Sequence, residues 1–522
     1  MITLAVAALA GLLAVGFVLS SSLQCLADDV CFLFRASTFG LKLLKVYLNR
    51  RVPTVLERFS QQVQTKPHKT FLLYQGVPFT YRQVDDRSNR VAQVFLGQQP
   101  GLAAGDTVAL LMSNEPDFVC VWFGLSKLGC AVAFLNTNLR TRSLLHCLRS
   151  SGANTLVVGE DLVDVVRDIL TNIQENNISV WVMGKTCTLH GVNTLADKVE
   201  EAPDSPVPDT WKSTVNLKST FLYIFTSGTT GLPKAAVITQ LQSLRASAGF
   251  SVFGFTEDDI IYVPLPLYHG AASLLGICGC IELGATLVLK KKFSASQFWN
   301  DCREYNVTVF QYIGELCRYL CNQPKVEGEK NHQVRMAVGN GIRTEVWKEF
   351  LERFGDIKMC EFYGATEGNI FFMNYTGKLG AVGRTNFLYK AFLSYKLVKY
   401  DAQKETPIRN EQGWCEKVSK GYEGRIGMAA VILKQGQEFD GKKVYNHVVK
   451  HLPSYAYPRF LRIQESMEMT GTFKRKKISL VQEAFNPRII TEPLYFLDAV
   501  EKSYILMTEQ IYDQILSFKI KL

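Results

Sequence analysis

Residues 1 to 19, MITLAVAALAGLLAVGFVL, carry no charged side chain, and Ser20 to Leu26 extend the run. About 20 residues at 1.5 Å each cross a bilayer core, so this run has the length of a transmembrane helix. No Lys or Arg precedes it, and it is long for the apolar part of a cleaved leader, which favours a retained anchor over a signal peptide. Behind it, Arg35, Lys42, Lys45, Arg50 and Arg51 alternate with Phe32, Leu33, Phe34, Phe39, Leu41, Leu43, Leu44, Val46 and Tyr47. That mixture predicts a basic amphipathic helix at headgroup level, with the alternative that it packs on the globular body. The positive charge places everything downstream on the cytoplasmic side of a single-pass protein.

From about Val52 to Asn177 the pattern changes to short apolar runs alternating with helical spacing. Thr107 to Met112 reads as a buried strand, Phe118 to Leu128 as a helix and Thr155 to Val158 as a second strand. Alternation of this type predicts βαβ units and a largely parallel sheet, an α/β protein. A Pro-rich polar loop spans residues 201 to 210, and Phe221 to Phe225 then forms a strand that runs into Thr226, Ser227, Gly228, Thr229, Thr230, Gly231, Leu232, Pro233 and Lys234. Two glycines let backbone N–H groups approach a ligand, and successive N–H groups in such a turn form an anion-binding concavity. Four hydroxyls and the mobile charge of Lys234 suit a phosphate that moves. A polar hairpin turn is the plain alternative. The spacing is not that of a Walker loop.

Composition narrows the class. The chain has 522 residues, 47% hydrophobic and 20% charged, enough for a large core and more than one domain. A net charge of +10 suits an anionic membrane surface or anionic ligands. No nucleic-acid motif accompanies it, so nucleic acid is not an expected partner. Thirteen cysteines without a framework fit a reducing compartment. Cys278 and Cys280, or Cys317 and Cys321, invite a metal reading, but small apolar residues in core elements explain them better.

The loop at 226–234, with LLMSNEPDFVCVWFGLSKLGC (110–130), residues 293–320, EFYGATEGN (361–369) and MTGTFK (469–474), resembles the adenylate-forming, AMP-forming acyl-CoA synthetase superfamily. Within it, the chain is similar to the fatty acid transport protein and very-long-chain acyl-CoA synthetase family over most of residues 50 to 522. The resemblance implies a large domain of βαβ-type sheets, a small α+β C-terminal domain, ATP, Mg²⁺ and CoA, and a fatty acid substrate. It implies that Tyr223 to Lys234 cradle the nucleotide phosphates, with the strand residues Tyr223, Ile224 and Phe225 leading in. His269, after IIYVPLPLY, lines the acyl-adenylate site. Residues 333–344 lie near adenine, and Tyr363 stacks on the purine. Thr366 meets the α-phosphate, Glu367 holds Mg²⁺, and Lys474 bridges carboxylate and α-phosphate. The segment from Ala271 to Gly279 and residues 293–320 become walls of an apolar channel, which core packing would explain equally.

One place breaks the pattern. Between Gly413 and Arg425 the chain reads GWCEKVSKGYEGR, where the family carries a ribose-binding Thr-Gly-Asp and an Asp-Arg hinge. An internal segment is absent, so this chain is expected to be a weak or inactive ligase. The expected organisation is an anchor over 1–26, a membrane-surface segment over 27–52, a large AMP-binding domain over 53–420 and a partial C-terminal domain over 421–522. The endoplasmic reticulum membrane is the expected location, with peroxisomal and plasma membranes as alternatives. The C-terminal Lys519 to Leu522 matches no targeting signal, and homo-oligomerisation is left open.

Overall fold

The computed structural model describes residues 29–32, 34, 35, 37, 54–98, 101–208, 215–226, 232–368, 371–384, 395–396, 398–401, 406–417, 428–434, 436–451, 457–466, 480, 483–498, 500–517 and 519–520. The chain divides into two compact units, Met1–Asn386 and Phe387–Leu522, so the division falls ahead of the boundary at residue 420 that the sequence suggests.

In the first unit, apolar runs become strands and the periodic segments between them become helices. The strands in chain order are β1 (Thr70–Tyr74), β2 (Val77–Thr80), β3 (Thr107–Leu111), β4 (Ala131–Phe134), β5 (Thr155–Gly159), β6 (Ser179–Met183), β7 (Asn193–Thr194), β8 (Thr220–Thr226) and β9 (Lys234–Thr239). They continue with β10 (Ile260–Val263), β11 (Thr286–Leu289), β12 (Val309–Ile313), β13 (Met336–Asn340), β14 (Lys358–Tyr363) and β15 (Phe372–Met373). Two sheets result, one of seven strands in the order β7-β6-β5-β3-β4-β8-β9 and one of eight in the order β15-β14-β13-β12-β10-β11-β1-β2. The interior strands pair in parallel, and antiparallel strands close edges of both sheets, β9 on one and β15 and β2 on the other. β3, β4 and β5 are buried along their whole lengths, as strands covered on both faces must be.

Helix starts follow from local chemistry. Thr54 with Glu57, Thr80 with Gln83 and Thr239 with Gln242 form reciprocal capping boxes ahead of α1 (Val55–Thr65), α2 (Tyr81–Leu96) and a later helix over Gln240–Phe253. α3 (Pro116–Lys127) begins with proline in its first turn, where a missing N–H costs nothing. α4 (Thr141–Ser151) follows β4.

The segment 271–279 is a π-helix, Ala271–Ile277, running into an α-helix, Cys278–Leu283. Its glycines answer to close packing. A Cβ on Gly279 would lie 2.6 Å from Phe250 Cδ2, and one on Gly276 would lie 3.3 Å from Val263 Cγ2 and 3.1 Å from Gln311 Oε1. These faces are pressed against neighbouring elements, which is the core-packing alternative to a channel wall. Cys278, Cys280, Cys317 and Cys321 are buried free thiols, and burial pushes their pKa values up, that of Cys321 to about 12. Protonated thiols are poor metal ligands.

Among the described residues no helix is long and apolar enough to cross a membrane; the run over 1–26 lies outside them. Of the segment 27–52, residues 29–32, 34, 35 and 37 are helical. Phe32 is buried there, its ring stacked on Tyr375 at 4.0 Å. Asp29 pairs with Arg384 through two hydrogen bonds of 2.7 and 2.6 Å and also accepts from the Tyr375 hydroxyl. This stretch is docked on the globular body.

The second unit is α+β. A four-stranded sheet joins Met428–Val431, Phe460–Ile463, Leu494–Asp498 and Ser503–Leu506, with helices over Gly441–His451 and Glu509–Leu516. Phe460, Leu494 and Phe496 contribute to one apolar cluster, and Leu461, Leu497 and Tyr504 to another.

Candidate functional site

In a parallel sheet the chain leaves every strand at the same edge, and loops that carry ligands gather there. Here the carboxyl ends of both sheets meet. Asn114, just past β3, donates its side-chain N–H groups to the carbonyls of Leu265 at 2.9 Å and Lys290 at 3.1 Å, and accepts the Leu267 N–H at 2.8 Å. It thereby ties one sheet to the loop between β10 and His269 in the other.

At the end of that loop Gly270 stands among three of the anticipated segments. A Cβ placed on it would lie 3.5 Å from Ile224 Cδ1, 3.6 Å from Leu274 Cδ1 and 3.9 Å from Thr366 Cγ2. His269 is half-buried, and its Nδ1 accepts the Ala271 N–H at 3.2 Å. The strand β8 ahead of the 227–231 connection, the His269 turn and the EFYGATEGN loop therefore converge.

Residues Ser227 to Gly231 lie outside the described residues. Their ends do not: Thr226 and Lys234 are register partners across the antiparallel pair β8 and β9. The connection is a hairpin in topology, as the plain alternative holds, and it opens at the carboxyl end of β8, where a ligand loop would sit. Leu232 and Pro233 are half-buried and Lys234 is exposed. Pro233 is held from outside by His146 on α4, whose Nε2 lies 2.9 Å from the Pro233 carbonyl.

β13 and β14 supply the other wall. Gly341, at φ 78°, turns the chain out of β13, a conformation glycine adopts without strain. Glu361, on β14 and 1% exposed, accepts the N–H groups of Gly341 and Ile342, the latter at 3.1 Å, and the Tyr312 hydroxyl at 2.5 Å. Burial pushes its carboxyl up to about 7, opposed by those three hydrogen bonds. Tyr363 ends β14, is 58% exposed, and has its ring 6.2 Å from that of Phe372. Thr366 is half-buried and Glu367 exposed. Among the described residues no group of three His, Cys, Asp or Glu is clustered to hold a metal, so Glu367 offers a single hard oxygen.

Lys474 lies outside the described residues, as do 418–425 of the stretch Gly413 to Arg425 in which the family pattern is expected to break. Asn114, His146 and Glu361 were not anticipated from the sequence. Glu361 did leave a signal, since an acidic residue inside the apolar strand KMCEFY needs partners.

The described parts of the site thus bring Ile224, Gly270 and Thr366 together and place Tyr363 and the Gly341 turn on adjacent strands. A family model described as AMP-binding enzyme matches residues 59–413. The chain is 50% identical to long-chain fatty acid transport protein 6 of Homo sapiens, over 95% of this chain and 96% of that protein. It is 40% identical to long-chain fatty acid transport protein 2 of Rattus norvegicus, over 98% and 99%. The alignment with the human protein runs to 594 positions, 72 more than this chain has residues, so at least that many positions of the relative face a gap here. Among solved structures, an anthranilate CoA ligase in complex with anthranoyl-AMP matches with a TM-score of 0.67 at 18% identity, covering 83% of this chain and 97% of its own. A benzoate CoA ligase from Burkholderia xenovorans matches at 0.65 and 15%, covering 82% and 99%. At these identities the likeness establishes the adenylate-forming fold.

Proposed function

The chain belongs to the AMP-binding enzyme family, among the long-chain fatty acid transport proteins, and from that premise we propose that its site is built to activate a long-chain fatty acid with ATP and pass it to CoA. The observation that carries this reading is the convergence of Ile224, Gly270 and Thr366. It brings the strand that leads to the phosphate loop against the loop that carries Thr366 and Glu367.

In the first step a carboxylate oxygen of the fatty acid attacks the α-phosphorus of ATP, and pyrophosphate leaves. The hydroxyls and N–H groups of 226–231 and the charge of Lys234 take up charge on the phosphates, Thr366 donates to the α-phosphate, and the Tyr363 ring stacks on adenine. Lys474 bridges carboxylate and α-phosphate. Mg²⁺ fits a site offering one carboxylate oxygen from Glu367, because the ion keeps waters and phosphate oxygens as its other ligands, and it would supply charge neutralisation. In the second step the CoA sulfur attacks the acyl carbonyl, the thiol proton is lost, and AMP leaves. His269 lines the acyl-adenylate site. Formation of the thioester at a membrane traps fatty acid and so draws it inward, with the run over 1–26 as anchor and the endoplasmic reticulum as the setting.

A second reading rests on the 72 or more positions this chain lacks. The family match ends at residue 413, where the sequence departs from the family pattern. Loss of a charged hydrogen bond to ribose alone costs about 1.5–3 kcal/mol, roughly ten- to hundredfold in affinity. On this reading the chain binds fatty acid and nucleotide but turns over slowly or not at all. Pyrophosphate release and acyl-CoA formation by the full chain, with fatty acid, ATP and CoA, decide between them. Turnover at the level of full-length relatives excludes the second reading. No pyrophosphate release together with retained ATP binding excludes the first.

A further inference from the structure

We infer that Glu361 is a positioning residue for the nucleotide, clamping the Gly341–Ile342 turn from within the sheet so that turn and Tyr363 face the base at a set spacing. The inference rests on the nucleotide reading above.

Three observations carry it. The first is the contact set. One buried carboxylate accepts two successive backbone N–H groups on one oxygen, from Gly341 and Ile342, and a tyrosine hydroxyl on the other. Those N–H groups belong to a turn leaving β13, where no strand partner would otherwise take them. The second is the support behind the turn. Gly314 and Gly339 admit no side chain: a Cβ on Gly314 would lie 2.0 Å from the Gly341 carbonyl oxygen, and one on Gly339 would lie 2.2 Å from that of Tyr312. The turn is pressed from behind by backbone and held in front by Glu361, so it has one position. The third is register. β13 and β14 pair in parallel with Gly339 opposite Glu361, and Tyr363 follows two residues on, at the same edge as the turn.

A structural role alone would be met by any group that fills the space. A carboxylate in a buried strand opposes its own burial, and a neutral amide could take the N–H groups with less cost. The charge has a consequence that an amide would not have. Near neutrality Glu361 exchanges a proton, and only its ionised form accepts both N–H groups at full strength. The titratable groups coupled to it are Tyr312 and Cys317, and burial pushes both upward, so neither gains charge near neutrality.

The test compares the full-length wild type with Glu361→Gln, Glu361→Ala and Tyr312→Phe. Hydrogen exchange of the Gly341 and Ile342 amides is followed without ligand, and ATP binding is followed by calorimetry at pH 6, 7 and 8. The expected result is protected amides in the wild type and in E361Q, and loss of protection in E361A. ATP affinity should fall roughly tenfold or more in E361A and less in Y312F. Wild-type affinity should decline from pH 8 to pH 6 more steeply than that of E361Q, because ATP's own titration is common to both. Unchanged amide protection in E361A overturns the clamp, and lost protection with unchanged ATP affinity overturns the nucleotide role. A wild type that binds no ATP overturns the nucleotide reading itself, while the ligand-free exchange data still decide whether Glu361 holds the turn.

Discussion

The Asn114 side-chain oxygen and the Leu267 backbone N–H meet at 2.8 Å, and the same side chain donates to two further carbonyls. One buried amide therefore satisfies three main-chain groups on two segments more than 150 residues away in sequence. Asn114→Ala leaves all three unpartnered. At about 1–3 kcal/mol for each stranded buried group, the loss should be at least about 2 kcal/mol. It is read as a lower urea midpoint for the N-terminal unit with an unchanged slope. A midpoint shift of zero would contradict the clasp. Asn114→Asp should not rescue it, since a carboxylate cannot donate to the two carbonyls.

Glu115 is the residue next to that clasp, and burial, then Asp117 and Asp161, push its carboxyl up to about 7. The folded state thus binds this proton more tightly than the unfolded chain, whose carboxyl titrates near the ordinary 4.5. The folded state carries more of this proton between those values, so stability from this group is present below about 4.5 and falls as pH rises to about 7. Glu115→Gln should accordingly raise the melting temperature at pH 8 more than at pH 5. An equal gain at both values would contradict the shifted carboxyl.

The glycines give a graded series. Gly314→Ala drives a methyl into the Gly341 carbonyl, main chain that cannot step aside, while Gly279→Ala meets a Phe250 ring atom at 2.6 Å. Gly97→Ala meets backbone oxygen only at 3.5 Å, an ordinary contact. Overpacking costs about 1–3 kcal/mol, so G279A should fall in that range, G314A above it and G97A near zero, by chemical denaturation.

The docked segment before the body offers a double-mutant cycle. Asp29→Asn and Arg384→Gln each break the same bidentate pair, with Asp29 mostly buried. Their effects on hydrogen-exchange protection of the helical residues 29–32 should be less than additive, with a coupling of about 1 kcal/mol. Additive effects would mean that the pair contributes nothing to docking.

Much of the architecture was legible because it rests on local signals. The strands expected at 107–112, 155–158 and 221–225 and the helix expected at 118–128 lie at 107–111, 155–159, 220–226 and 116–127, within two residues at each end. Of the candidate site, the positions of Thr226, Lys234, His269, Tyr363 and Thr366 at or just past strand ends follow from the same pattern. What could not be read was which main-chain groups each polar side chain would serve. Nothing in SNEP announces the carbonyls of Leu265 and Lys290, and nothing near His146 announces Pro233. Gly276 and Gly279 left two readings open for a related reason: a glycine that opens space and one that lets elements touch look alike in sequence. The basic segment after residue 26 was ambiguous because Phe32 suits a lipid surface and an aromatic ring equally, and its partner Tyr375 lies far along the chain.

That stacked pair also sets a leash. Three peptide units separate Leu26 from Asp29, a reach of roughly 10 Å at full stretch. If residues 1–26 reside in a bilayer, the surface around Tyr375 and Arg384 can hover no farther than that above the lipid. A fatty acid drifting sideways in the leaflet would then arrive by a search in two dimensions, without first dissolving in the surrounding water.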